Sequence, residues 1–272
     1  MKRYFPLLLL CLLGAGSASA QAPLSAFVSV PPQKYLLQRI GGGHVKVSVM
    51  LSPGQAPETF DPSARQIQRL AGAKVYFLAG VPFETAWADT MEQAYPELRI
   101  VPCCGDLTPG QMVDPHYWTS PENAIRMAQT MYETLAGLEP EREGEYKFNL
   151  DRLTADLKQL DAYIRTKLLQ RRTDVFITAH AAWGWFAQSY GLEEVAMEKN
   201  GREIGPRGLA QIVEIARRER IHTLFVQNQF KTPVAGTLAK RLNARLVTLD
   251  PLAEDYIGNM RSVADKLAKA LQ

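Results

Sequence analysis

The sequence predicts an α/β protein of two lobes, each a roughly four-stranded, mostly parallel sheet flanked by helices, joined by one long rigid helix. Short apolar runs of strand length alternate with amphipathic segments, which is the pattern of parallel sheets covered by helices. Four of these runs precede one unusually long helical segment and four follow it. The long segment therefore divides the chain into two sheets.

Residues 1–20 have the features of an export signal. Two basic residues follow Met1, residues 6–14 are mostly leucine, and small residues end the segment at Ala20. This order is typical of a signal peptide, which we expect to be cleaved after Ala20. Cys11 raises the alternative of a lipoprotein anchor, but the residue before it is large and the apolar region is short, which favours cleavage.

The charge of the mature chain argues against nucleic acid as a partner. The full chain has 31 basic and 28 acidic residues, and loss of Lys2 and Arg3 leaves 29 against 28, a formal charge of +1. A nearly neutral chain lacks the basic excess that phosphate backbones attract. No later apolar run approaches the roughly 20 residues of a membrane-spanning helix.

Residues 21–140 supply the elements of the N-terminal lobe. The strand candidates are short, apolar and rich in β-branched residues, and they cover residues 26–30, 45–51, 74–79 and 99–102. Pro31 and Pro32 suit a helix start, and two more helices are expected at 83–93 and 121–135. The second and fourth strands lead into long loops, SPGQAPETFDPS and CCGDLTPGQMVDPHYW.

An apolar stripe predicts the connecting helix at residues 141–172. From Tyr146 to Leu168 apolar residues recur at steps of three and four, which places them on one face of a helix. A helix over 141–171 is roughly 45 Å long at about 1.5 Å per residue. The C-terminal lobe, 173–272, then repeats the alternation. Its strands are expected at 174–179, 195–198, 223–227 and 245–249, and its helices at 182–190, 206–218, 233–242 and 255–271.

The positions of the four histidines relative to the strands separate them into two groups. In open parallel sheets, ligands bind beyond the carboxyl ends of the strands. His44 and His222 precede their strands, so we expect ordinary surface or capping residues. His180 follows the fifth strand, and His116 lies in the loop after the fourth.

Carboxylates occur at the same end of the strands. Asp250 directly follows the last strand, and the loop after the second strand offers Gln55, Glu58 and Asp61. Two imidazoles and two carboxylates can complete a four-ligand shell for a borderline divalent metal. No compact motif such as HExxH or CxxC is present, so the residues alone leave open the alternative of unrelated core histidines.

Four local sequences resemble the ZnuA/TroA-like family, the exported metal-binding receptors of ABC importers. They are SPGQAPETFDPSARQ, DPHYWTSPENA, TAHAAWGWFAQSYGL and VTLDPLAEDY, and together they span nearly all of the mature chain. The resemblance implies two lobes on a long rigid helix with a divalent metal between them. It also implies a periplasmic, monomeric receptor that is not an enzyme and that hands the ion to a membrane permease.

Carried over to this sequence, the resemblance assigns His116 and His180 as imidazole ligands and Asp250 as a carboxylate ligand. The first ligand position, usually His in such families, holds Glu58. We favour ligation by Glu58 because carboxylate oxygen is a competent ligand, the alternative being that it faces solvent. His180 matches the zinc-type pattern, since manganese-type relatives typically carry Glu there. We therefore expect Zn²⁺, with Mn²⁺ and Fe²⁺ as alternatives.

Two further features have competing interpretations. Adjacent α-carbons lie about 3.8 Å apart, below the usual disulfide range of roughly 4.4–6.8 Å, so Cys103 and Cys104 are either buried thiols or a strained pair. The aromatic residues after His180 are expected in the core between the lobes, and Trp118 beneath the metal loop.

The rival functions are a zinc metallohydrolase, in which Glu58 acts as a base, and an adhesin.

Overall fold

Two parallel four-stranded sheets form the framework of the protein, as the sequence predicts. The structure is a computed structural model that describes residues 22–104, 114–199, 202–229 and 233–272. The predicted export signal, with Cys11, and the stretch 105–113 lie outside the described residues. Within the described ranges, every strand pairing in the two large sheets is parallel.

The first sheet has the strand order β2-β1-β3-β4, and its four carboxyl ends lie at one edge. Its strands are β1 (Leu24–Val28), β2 (Val45–Val49), β3 (Val75–Leu78) and β4 (Arg99–Pro102). The helices of this lobe are α1 (Pro31–Gly41), α2 (Ala64–Gln68), α3 (Pro82–Ala94) and α4 (Pro121–Leu138). Three of these helices begin with proline, whose fixed φ suits the first turn.

The connecting helix α5 (Glu143–Leu168) has 26 residues and is about 39 Å long. Its predicted apolar stripe is fully buried and packs on α1 and α4 of the first lobe and on the C-terminal helix, residues 256–271, of the second. The helix ends earlier than the predicted residue 171, and the Arg171 guanidinium donates a hydrogen bond to the Leu168 carbonyl at its end, at 2.8 Å. In the described part of the chain, no helix combines the length and apolar character that a membrane crossing requires.

The second sheet has the order β10-β9-β5-β6. Its strands are β5 (Val175–Thr178), β6 (Glu193–Ala196), β9 (Thr223–Val226) and β10 (Arg245–Thr248). A separate antiparallel ribbon consists of β7 (Glu198–Lys199) and β8 (Arg202–Glu203). The helices are α6 (Gly184–Tyr190), α7 (Pro206–Arg218), α8 (Pro233–Leu242) and α9 (Tyr256–Leu271).

The sequence-based boundary of β6 is wrong by two residues. The strand begins at Glu193 instead of residue 195, so a pair of glutamates lies in the sheet. Glu194 is tolerated there because its carboxylate accepts hydrogen bonds from the Thr178 hydroxyl and from the backbone N–H groups of Ala182 and Trp183. These bonds compensate for burial, which raises the pKa of Glu194 to about 7.

Cys103 and Cys104 are two buried, unpaired thiols at the end of β4. Burial, together with the nearby Glu84 carboxylate, raises the pKa of Cys104 to about 12 and that of Cys103 well above its usual value. Because the thiolate is the reactive form, both thiols are expected to be inert in the folded protein.

Native protein that starts at residue 21 should therefore not react with a thiol-specific chromogenic reagent. After unfolding without reductant, both thiols should react, because the pKa shift disappears with the fold. The intact mass of the unfolded, unreacted protein is the control. A mass lower by two hydrogens, with reactivity that appears only after reduction, would show that the cysteines are paired instead.

Candidate metal centre

Three of the four predicted ligands converge between the lobes. One oxygen or nitrogen atom from each of Glu58, His116 and His180 lies within 4.8 Å of the other two. Glu58 Oε1 is 3.0 Å from His116 Nε2 and 3.2 Å from His180 Nε2. The imidazole ring centroids are 5.3 Å apart. The donor atoms therefore face a common point, as ligands of one cation must.

Each of these side chains follows the carboxyl end of a strand. Glu58 lies in the loop between β2 and α2, His116 lies beyond β4, and His180 comes two residues after β5. A 3₁₀ turn begins directly after His116, and its Thr119 N–H donates to the His116 carbonyl at 3.0 Å. The strand-end argument therefore identified the correct edge in both lobes.

The loop that carries Glu58 is held to the first lobe on both sides of that residue. Before it, Gln66 of α2 donates to the Ser52 hydroxyl at 3.1 Å. After it, Asp61 accepts a hydrogen bond from the Trp87 indole N–H at 2.8 Å, so this second carboxylate of the loop has a structural contact of its own. Glu58 is the acidic residue of the loop that reaches the histidines.

Two carboxylates that sequence reasoning missed contact the far edges of the imidazoles. Asp114 Oδ1 lies 2.8 Å from His116 Nδ1 and also accepts the His116 backbone N–H at 2.9 Å. Glu198 contacts His180 Nδ1. Carboxylates in this position fix the ring orientation and tautomer of metal-binding histidines. Asp114 had a signal, the DPH sequence, whereas nothing local in the sequence pointed to Glu198.

Asp114 is placed by contacts with the second lobe. Its carbonyl oxygen accepts the Trp185 indole N–H at 2.9 Å. A Cβ atom at Gly184 would come within 2.6 Å of Asp114 Oδ2, so the absence of a side chain at residue 184 permits this close approach. The acid that orients His116 therefore depends on residues that follow His180.

In the absence of metal, the contacts of Glu58 with the two imidazoles favour the charged form of all three groups. Burial opposes the charged form of each group, but the hydrogen bonds between them outweigh it. The pKa of Glu58 is held well below its usual range by His116 and His180. The pKa of His116 is raised to about 9 by Asp114 and Glu58, and the pKa of His180 is also raised, by Glu198 and Glu58. A cation that binds Nε2 of His116 at pH 7 must therefore displace a proton.

We expect metal binding to release protons at pH 7 and apparent affinity to rise with pH until about pH 9. The stability of the metal-free protein changes with pH in the opposite direction. The contacts of His116 contribute fully to the stability of the fold below pH 6.5, and this contribution is lost as the pH rises through about 9. Calorimetric titration in buffers of different ionisation enthalpy measures the release. Equal heats in all buffers at pH 7, after correction for dilution, would contradict this prediction.

Asp250, the fourth predicted ligand, lies outside the three-residue cluster. Its Oδ1 accepts hydrogen bonds from Gln229 Nε2 and from the Leu252 backbone N–H, both at 3.0 Å. Together with Gln55 and residues of both lobes it lines a cavity of about 540 Å³. The Asp250 carboxylate therefore lines this cavity, and its hydrogen-bond donors come from its own lobe.

Trp118, in the sequence DPHYWTSPENA of the first lobe, contacts the sequence VTLDPLAEDY of the second. Its indole N–H donates to the Pro251 carbonyl at 2.6 Å, and its own carbonyl accepts the Tyr256 hydroxyl at 2.7 Å. Its ring meets that of His116 edge-on at 5.5 Å, which confirms the prediction that it packs beneath the metal loop. Trp183 and Phe186 are also buried, as predicted for the core, whereas Trp185 is only partly buried and packs against it.

The remaining two histidines lie away from this edge, as predicted. His44 lies in the turn before β2 and is 3.1 Å from Glu145 of α5. His222 is exposed and directly precedes β9. Among the described residues, neither belongs to a group of potential metal ligands.

The donor set fits a borderline divalent cation. Two imidazole nitrogens and one carboxylate are typical zinc ligands and leave a fourth position for another donor. The second carboxylate oxygen of Glu58 is buried without a hydrogen-bond partner among the described residues. An unsatisfied buried oxygen is costly, and a cation at this point would compensate for it.

Comparisons with known proteins identify the family to which this fold belongs. A crystal structure of ZnuA is 32% identical, with a TM-score of 0.87, and the match covers 92% of this chain and all of that one. A ZnuA deletion mutant with zinc bound has the same identity and a TM-score of 0.86, over 92% and 98% of the two chains.

The zinc-binding lipoprotein AdcA of Streptococcus pneumoniae is 24% identical over 93% of this chain, which spans 56% of that longer protein. The family model described as ZnuA, zinc-uptake complex component A periplasmic, matches residues 27–270. This chain therefore belongs to the ZnuA family.

Proposed function

We propose that this protein is an exported, periplasmic receptor that captures a divalent metal, preferentially zinc, and delivers it to the membrane permease of an ABC importer. The convergence of Glu58, His116 and His180 between two lobes carries this proposal. Family membership and the zinc-bound ZnuA structure support it. The ion is cargo that is bound and released unchanged, so the site needs no catalytic residue. Nucleic acid is not among the proposed partners.

We further propose Asp250 as the fourth ligand. Its position in the cleft and the predicted charge of the complete shell support this role, because two carboxylates neutralise a divalent cation. Asp250 would have to exchange its contact with Gln229 for the metal. The intrinsic order of affinity favours zinc over manganese and ferrous iron for such a donor set.

We divide the chain into a cleaved signal at 1–20, lobes at 21–140 and 173–272, and a connector at 141–172. The receptor is proposed to work as a monomer. The buried stripe of α5, which packs on helices of both lobes, supports a connector that resists a wide hinge.

The connector predicts only a slight movement of the lobes on metal binding. Scattering curves of the metal-free and zinc-loaded protein should therefore nearly superimpose. A chelator-treated sample to which zinc is returned is the control for irreversible change. A large decrease in the radius of gyration on loading would show that α5 bends or that its contacts with one lobe separate.

The function is tested by metal analysis of protein purified without chelator, followed by competition titration with zinc, manganese and ferrous iron. We expect one zinc ion per chain and the tightest binding for zinc. Protein with Glu58, His116 and His180 all replaced by alanine is the matched control. A parent protein that binds none of these ions more tightly than the triple variant would overturn the proposal.

A further inference from the structure

The ribbon β7–β8 is a feature that the proposed function does not use. It lies outside both main sheets and pairs Glu198 with Glu203 and Lys199 with Arg202. Its base is fixed by two backbone hydrogen bonds, Met197 N–H to the Thr178 carbonyl at 2.8 Å and Ile204 N–H to the Met197 carbonyl at 3.2 Å. The first of these bonds attaches the ribbon to β5, the strand that leads to His180.

Glu198 brings a largely buried carboxylate from this ribbon to His180. Its side chain is 14% exposed, that of His180 is 5% exposed, and its Oε1 contacts His180 Nδ1. The other ring nitrogen, Nε2, faces Glu58 Oε1 at 3.2 Å. The two ring nitrogens point in different directions, so Glu198 lies behind the imidazole, on the side away from the cluster.

The contact with Glu198 determines which tautomer of the His180 imidazole is available to bind a cation. A carboxylate oxygen accepts, so Nδ1 carries the hydrogen, and the lone pair for a metal is left on Nε2. Without an acceptor at Nδ1, the ring can rotate, and a neutral imidazole can carry its hydrogen on either nitrogen. Only the tautomer with its hydrogen on Nδ1 presents a lone pair for a metal on the side of Glu58 and His116.

We propose that Glu198 is a positioning residue, which holds His180 in the orientation and tautomer that binds the metal. This inference rests on the proposed function. His116 has the corresponding partner in Asp114, from its own loop. Glu198 differs in origin, since it comes from the ribbon, 18 residues beyond His180. The affinity of the site therefore depends on the placement of an element that supplies no ligand.

The alternative is that Glu198 only anchors the ribbon. Three variants separate the two roles: Glu198→Leu removes the acceptor at similar size, Glu198→Gln keeps an acceptor oxygen without the charge, and Glu193→Leu is the control. Glu193 is an exposed glutamate of the neighbouring strand β6. Zinc affinity is measured by competition with a chromophoric chelator, and metal-free stability by thermal unfolding.

For a positioning residue, Glu198→Leu should lower zinc affinity by roughly 10–100-fold, the usual cost of losing such a partner. Glu198→Gln should retain most of the affinity, and Glu193→Leu all of it. An anchoring role alone predicts that both Glu198 variants lose thermal stability alike, with zinc affinity unchanged or equally reduced in the two. Either of those results would overturn the inference.

A spectroscopic measurement on the parent protein does not depend on whether the Glu198 variants fold. The ¹⁵N shifts of the imidazole nitrogens report the tautomer, and the signals of His180 are identified by their absence from His180→Gln protein. In zinc-loaded parent, His180 should carry hydrogen on Nδ1. A hydrogen on Nε2 would overturn the inference while leaving the proposed function intact, whereas a parent that binds no metal overturns the proposed function itself.

Discussion

Replacement of His116 or His180 by alanine is expected to lower zinc affinity by more than the roughly 10–100-fold that loss of an orienting partner costs. Both Nε2 atoms approach Glu58 Oε1, so each variant removes a donor atom from the centre of the cluster. His44→Ala and His222→Ala should leave the affinity unchanged, because these residues lie at the opposite ends of their strands.

Competition titration of the four variants against a chromophoric chelator measures this difference. The two buried histidines also contact Asp114 and Glu198, so their removal leaves these carboxylates without a partner at the imidazole and is expected to lower stability. Thermal unfolding of each metal-free variant, and the less disruptive His116→Asn and His180→Gln, separate loss of a ligand from loss of the fold. Comparable losses of affinity at all four histidines would contradict the strand-end argument.

The large elements of the fold could be predicted because their signals are local. The stripe on α5 is visible within one helix, and strand–helix alternation requires no knowledge of contacts. The short helix α2 was missed, although Ser63 and Gln66 form a capping box that the sequence contains. The ribbon was missed for a different reason, since each of its strands has two residues and carries no apolar pattern.

The sequence predicts the edge of the sheets at which the site lies, but not the distances between the side chains of the site. Asp250 follows β10 and His180 follows β5, with β9 between them. Neighbouring strands lie about 4.8 Å apart, so these two strand ends are roughly 10 Å apart. The Gln229 side chain donates a hydrogen bond to Asp250 Oδ1 at 3.0 Å. Strand order decides this separation, and a single sequence does not reveal strand order.

Glu58 is the departure from the usual histidine, and the structure gives it a central place. Its Oε1 lies within 3.2 Å of both Nε2 atoms, while its Oε2 is buried without a partner among the described residues. The alternative that Glu58 faces solvent is inconsistent with these contacts. A carboxylate in place of an imidazole makes the shell harder and more tolerant of manganese or ferrous iron.

We therefore expect Glu58→Ala to weaken zinc binding and Glu58→His to raise the preference for zinc over manganese. Glu58→Gln, of the same shape, shows how much of the effect is charge. Asp61→Asn is the matched control in the same loop, because its amide oxygen can still accept the Trp87 indole N–H. Zinc and manganese competition on these proteins measures both affinity and preference. If Glu58→Ala binds zinc as tightly as the parent, Glu58 is not a ligand, and a water molecule or Gln55 must take its position.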